Sequence, residues 1–144
     1  MINRRLVEGR LVLLHGYLNK LERLARCSRT AFLTDDVKAG AAESYLRRAL
    51  EAVFDLGRHL LVKQGAVELA AEYKGIARGL GAQGIVGPEL TEKLVQMAGY
   101  RNRMVHLYHL VSDEELYRII THDLGDLREV ARQIQAFVEG RGAP

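Results

Sequence analysis

LVQMAGYRNRMVHLYHLVSDEELYRII, Leu94 to Ile120, is the stretch from which the fold of this chain can be read most directly. On a period of 3.6 residues, Leu94, Met97, Arg101, Val105 and Tyr108 share one side of a helix. Asn102 and His106, four apart, share a neighbouring strip. The helix begins upstream at Pro88, which suits a first turn, and Glu89 and Glu92 suit its positive end. Downstream, Ser112 is followed three residues later by Glu115, the pattern of a capping box, so another helix starts there. Its apolar face would be Leu116, Ile119, Ile120, Leu127, Val130, Ile134 and Phe137, with an end near Glu139 at Gly140 and a kink or loosened turn at Gly125.

The same three- and four-residue steps continue toward the N-terminus. A first helix is predicted from about Asn3 to Arg26, with Leu6, Leu13, Tyr17, Leu21 and Leu24 as its stripe. Thr34, Asp35 and Asp36 offer N-caps for a second, reaching about Lys63. Its apolar set, Val37, Ala41, Leu46, Ala49, Leu50, Val53, Phe54, Leu56, Leu60 and Leu61, is too wide for one contact. Such a helix sits in the centre of a bundle or at an oligomer interface. A shorter piece follows around Glu68 to Leu80, and GLGAQGIVGP (Gly79–Pro88) reads as a break between helices. The expected fold is an all-helical, up-and-down bundle of four long helices plus a short one, a single domain over residues 1–144.

Composition narrows the class. Hydrophobic residues are 48% and charged residues 27% of the 144, the balance of a globular domain. The single Cys27 leaves no internal disulfide and no cysteine-built metal site, which fits a reducing, cytoplasmic setting. Glu8, Arg10 and His15 interrupt any leader-like apolar core, and no run approaches the ~18 apolar residues of a membrane span. The formal charge of +3 does not announce a nucleic-acid binder, but its distribution is uneven. From Lys93 to Ser112 there is no carboxylate, while Lys93, Arg101, Arg103, His106 and His109 all fall there. Such a cluster can meet a phosphate or be solvated.

Arg101, Asn102 and His106 suit phosphodiester cleavage. Arginine binds phosphate through two parallel hydrogen bonds and stabilises charge at phosphorus. Histidine titrates near neutrality and can take a proton from a 2′-hydroxyl or give one to the leaving oxygen. Asparagine can orient the imidazole or bond a phosphoryl oxygen. No carboxylate cluster calls for a metal. On a straight helix, however, His106 lies roughly 140° round from Arg101. The length of the arginine, a helix that loosens near His106 or a second chain could close that gap. Spacing alone leaves the bland reading standing, in which Arg101 and His106 are ordinary surface residues. His15, His59, His109 and His122 fit surface or capping roles. Asp55 could be a buried, paired carboxylate supporting the site or could point at the bundle's edge.

RNRMVHLY (Arg101–Tyr108) resembles the R-x(4)-H-x-Y motif of HepT-like proteins, a branch of the HEPN helical domains. EAVFDLGRHLL (Glu51–Leu61), the stretch quoted first and the closing helix follow that family in order and spacing, from roughly Leu11 to Phe137. The resemblance implies a dimeric HEPN bundle with the motif near the dimer interface. It implies catalytic roles for Arg101, Asn102 and His106, with no resident cofactor. The function implied is that of a type VII-like toxin, a metal-independent endoribonuclease. Its partner would be an MntA-type minimal nucleotidyltransferase antitoxin that silences it by AMPylation of Tyr108. The glycine-rich Gly79–Pro88 connection is the departure from the family pattern. The alternative class is a non-catalytic HEPN module that binds nucleotide or substrate for a nucleotidyltransferase.

Overall fold

The computed structural model describes residues 2–106 and 111–142, with the side chains of His106 and Arg141 outside that description. The described residues form seven α-helices and one 3₁₀ turn: α1 Arg4–Ala25, α2 Arg29–Leu33, α3 Asp36–Lys63, the turn Val67–Ala70, α4 Tyr73–Ala82, α5 Pro88–His106, α6 Asp113–His122 and α7 Leu124–Gly142. The all-helical class is as expected, but the count is corrected. α1, α3, α5 and α7 are long, and three short helices stand where one was expected. Among the described residues, no helix is long and apolar enough to cross a membrane.

Several helix starts follow from their first residues. The Asn3 side chain accepts from the Leu6 amide at 3.1 Å and opens α1. Asp35 accepts from the amides of Val37 (3.0 Å) and Lys38 (3.4 Å) and opens α3. Ser28 caps α2, whose Phe32 is fully buried against Tyr117 of α6, with ring centroids 5.1 Å apart. Tyr117 also donates to the Cys27 carbonyl at 2.7 Å, which ties the α1–α2 junction to α6.

The expected single C-terminal helix is broken at Asp123, two residues before Gly125. Thr121 Oγ1 donates back to the Tyr117 carbonyl at 2.7 Å, and His122 Nδ1 lies 3.0 Å from the Arg118 carbonyl. Such back-bonding bends helices. Asp123 then supplies the carbonyl that receives the Asp126 and Leu127 amides at the start of α7. The bend lets α6 cover α1, α2 and α3 while α7 covers α1 and α5.

α3 is the central helix, packed on α1, α2, α4, α5, α6 and the 3₁₀ turn. Its wide apolar face is therefore used within one chain, although Val37 is 80% exposed and drops out of the predicted set. In α1 the buried stripe is Val7, Leu11, Leu14, Leu18 and Leu21. Leu13, predicted inside, is 44% exposed.

The glycine-rich stretch is only partly a break. Gly84, at φ +70°, makes the turn after α4. Gly79 and Gly81 lie inside α4 and let it approach its neighbours. A Cβ at Gly79 would stand 2.9 Å from Leu61 of α3, and one at Gly81 would overlap Thr91 of α5. On the α3 side, a Cβ at Gly57 would stand 2.6 Å from Ile76. These close approaches wedge α4 between α3 and α5, and so bring its first residues to the motif.

Candidate functional site

α5 carries Arg101, Asn102 and Arg103 in succession and ends at His106. The His106 side chain, Tyr108 and His109 lie outside the described residues, so Arg101 and Asn102 are the motif residues whose surroundings can be followed.

Three cations of the carboxylate-free window have different surroundings. Arg103 grips Glu115 of α6 through two parallel hydrogen bonds, Nη1 to Oε2 at 2.9 Å and Nη2 to Oε1 at 2.7 Å. That bond holds the Glu115 carboxyl below its ordinary range and raises the guanidinium. Ser112 still accepts the Glu115 amide, so half of the predicted capping box is present, but the Glu115 carboxylate is turned to Arg103. Lys93 pairs with Asp126 of α7 at 3.4 Å. A window without carboxylates in sequence thus receives them in space, and the expected five-cation patch is reduced.

Arg101 is held differently. Its Cζ lies 4.1 Å from the ring centroid of Tyr73, the first residue of α4. Tyr73 is in turn stacked on Phe54 of α3, with centroids 4.9 Å apart and planes 17° apart. Tyr73 thus contacts both Phe54 and the Arg101 guanidinium, linking the cation to α3. Arg58 adds a second cation 5.6 Å from the same ring, and its Nε donates to the Ala70 carbonyl at 3.2 Å, steadying the turn that leads to Tyr73. Among the described residues, Nε of Arg101 is buried without a hydrogen-bond partner. An unmet buried donor costs about 1–3 kcal/mol, a defect that native structures keep chiefly where strain, catalysis or binding accounts for it.

A cavity of about 440 Å³ opens beside this stack, lined by Ala71, Glu72, Tyr73, Lys74, Arg101 and Asn102. Arg101 and Asn102, predicted as site residues, therefore face the same space. A second cavity of about 370 Å³ touches Arg103, but Asp36, Glu43 and Asp113 outnumber that one arginine, whereas in the first Glu72 is outnumbered by Arg101 and Lys74, so the first suits an anion better.

Asp55 is not a buried carboxylate. It is half-exposed, 3.8 Å from Arg10 and 3.5 Å from Arg58. His59 accepts the Asn3 amide at 3.1 Å, and burial lowers its pKa. His15 lies 3.3 Å from Arg128, which also binds Glu22 and Asn19, and His122 closes α6. Tyr73 is the residue that sequence reasoning missed. It lies 28 positions before Arg101, inside a short segment with no distinctive spacing, and only the packing of α4 identifies it. Among the described residues, no three His, Cys, Asp or Glu are grouped as a metal site would need.

The family model of HepT-like ribonucleases matches residues 14–134. The chain is 26% identical over 133 residues to a tRNA nuclease HepT of Aphanizomenon flos-aquae, covering 92% of this chain and 90% of that one. Its fold matches the tri-AMPylated HEPN toxin of Shewanella oneidensis, solved in complex with an MNT antitoxin. That match has a TM-score of 0.80 at 19% identity and covers 91% of this chain and 97% of the toxin. YutE of Bacillus subtilis, a cytosolic protein of unknown function, matches with a TM-score of 0.78 at 19% identity, covering 99% and 95%.

Proposed function

Since the chain belongs to the HepT-like ribonuclease family, we propose that it is the toxin of a toxin–antitoxin pair and cleaves RNA without a metal. The observation that carries this reading is Arg101, stacked on Tyr73, facing a cavity with Asn102, and buried at Nε without a partner among the described residues. A surface arginine with no task would be solvated or paired, as Arg103 is.

In the proposed reaction, His106 takes the proton from a ribose 2′-hydroxyl. The 2′-oxygen attacks the adjacent phosphorus, the P–O5′ bond breaks, and the 5′-oxygen takes up the proton that the His106 imidazolium returns. The products are a 2′,3′-cyclic phosphate and a 5′-hydroxyl. Arg101 holds two phosphoryl oxygens and stabilises the charge that grows on them. Asn102, on the same cavity, donates to a phosphoryl oxygen. Two copies of the chain related by a two-fold axis would bring His106 of one toward Arg101 of the other, across the rotation that separates them on one helix. The tRNA nuclease relative makes tRNA the first substrate to test.

Control is assigned to Tyr108. A nucleotidyltransferase antitoxin of the MNT type would transfer AMP to its hydroxyl, as the AMPylated Shewanella toxin supports. Each adenylate places a phosphate and a nucleoside near Arg101 and excludes RNA by charge and volume.

The test combines both parts. Purified protein should cut tRNA in EDTA and leave cyclic-phosphate ends, and His106→Ala should lose about 10²–10⁴ in rate. Co-expression with the antitoxin should add AMP mass at Tyr108. Full activity in His106→Ala would overturn the nuclease mechanism, and an unmodified Tyr108 in the silenced complex would overturn the control.

A further inference from the structure

Beyond the scissile phosphate, the exposed edge of α4 has a charge pattern that the cleavage chemistry does not use. Ile76, Ala77, Gly79 and Leu80 are buried, which turns Lys74 and Arg78 outward, four residues and one helical turn apart. No acidic residue occurs between Glu72 and Glu89. Among the described residues, neither Lys74 nor Arg78 is in an ion pair, unlike Lys93 and Arg103. Lys74 lines the cavity that holds Arg101 and Asn102 and also the adjoining one, bounded by Glu89 and Glu92. Its Cε lies 3.9 Å from where a Cβ at Gly99 would stand, so the lysine stem crosses α5 two residues before Arg101.

Lys74 of α4 thus shares a cavity with Arg101 of α5, and Arg78 stands one turn further along α4. We infer that this edge is a track for the sugar–phosphate backbone, on which Lys74 and Arg78 hold the phosphates flanking the one at Arg101. The spacing of about 6 Å along the helix between positions four apart is of the order of one nucleotide step. Glu89 and Glu92 form the other bank and repel a strand that would run over α5 instead. Phosphate contacts of this kind set register and affinity without reading bases. The inference rests on the nuclease reading above and specifies where its substrate lies.

The experiment uses the full chain with a single-stranded deoxyoligonucleotide of ten residues, which lacks the 2′-hydroxyl and is not cut. Binding is followed by fluorescence anisotropy across a salt series. Each lost phosphate contact lowers the slope of log K against log salt by about 0.7 for single strands. Lys74→Ala with Arg78→Ala should lower it by about 1.4 and weaken binding about 25-fold at 0.1 M salt, with the gap closing toward 1 M. On cleavable RNA the loss should fall on KM rather than kcat, and a dinucleotide should lose far less than a ten-residue strand. Lys74→Arg should retain the slope. An unchanged slope in the double variant, with the wild type cutting RNA, would overturn the track alone. A wild type that neither binds nor cuts RNA would overturn both the track and the nuclease reading. Lost antitoxin binding with the RNA slope intact would also overturn the track and give this edge to the protein partner.

Discussion

Arg101 and Arg103 stand two residues apart on α5, yet their surroundings differ. Arg103 faces the α6 side, where Glu115 satisfies it with two short hydrogen bonds, and the cavity it touches is edged by carboxylates. Arg101 faces the α4 side, where its guanidinium carbon lies over an aromatic ring and one nitrogen is buried without a partner among the described residues. The first arrangement makes a structural pair and the second keeps a charge in reserve. A guanidinium stacked on a ring retains its in-plane donors for a ligand, whereas one held by a carboxylate has given them up. What a cationic motif can bind depends on which of its members the fold leaves unneutralised.

Removing each arginine in turn separates the two roles. Arg101→Ala should cost about 3 kcal/mol of transition-state stabilisation, roughly a hundredfold in kcat/KM on RNA, with little change in Tm. Arg103→Ala should keep most of the activity. If the two variants lose activity equally, the assignment of different roles is wrong.

Tyr73 acts through Arg101. Losing the ring in Tyr73→Leu removes a cation–π contact of about 0.5–2 kcal/mol, so about a tenfold fall in kcat is expected. Tyr73→Phe should restore the rate, since the face and not the hydroxyl supports the guanidinium. In an Arg101→Ala background, Tyr73→Leu should add nothing further to the loss in kcat. Additive losses in the double variant would show that Tyr73 contributes only to folding.

The smallest effect concerns stability on the Arg103 side. The pair is partly exposed, so Arg103→Ala should cost about 1 kcal/mol at neutral pH. Because Arg103 lowers the folded pKa of Glu115, the pair's contribution is fully present above the unfolded carboxylate range, about 4.3. It is lost as pH falls through the lower folded value. The Tm difference between wild type and Arg103→Ala should therefore shrink below about pH 4. A gap that stays constant to pH 2 would mean the arginine stabilises by packing alone.

Local rules reached far into this fold. Asp35, Ser112 and Pro88 mark helix starts because a cap is a contact between residues two to four apart. The same rules failed where two phases were equally apolar. In LVLL (Leu11–Leu14) either Leu13 or its neighbours could face inward, and the packing of α1 on α3 chose Leu11 and Leu14. On α5 the slot assigned to Val105 went to Met104, leaving Val105 40% exposed. The break at Asp123 was expected only as a kink at Gly125, because the apolar steps of α6 and α7 run on without interruption from Leu116 through Leu124 to Val138.

By itself the sequence determined the helical class, the main helix starts and the motif that sets Arg101, Asn102 and His106 on α5. Only the tertiary structure decided that Glu115 and Asp126 would neutralise Arg103 and Lys93, and that Tyr73 and Phe54 would support Arg101. The physical reason is one of range. Helical periodicity fixes the angle at which a side chain leaves its axis, within a few residues of sequence. The charge or ring it meets comes from a helix 12 to 33 positions away, and the approach of α3, α4 and α5 that brings the rings together depends on glycines.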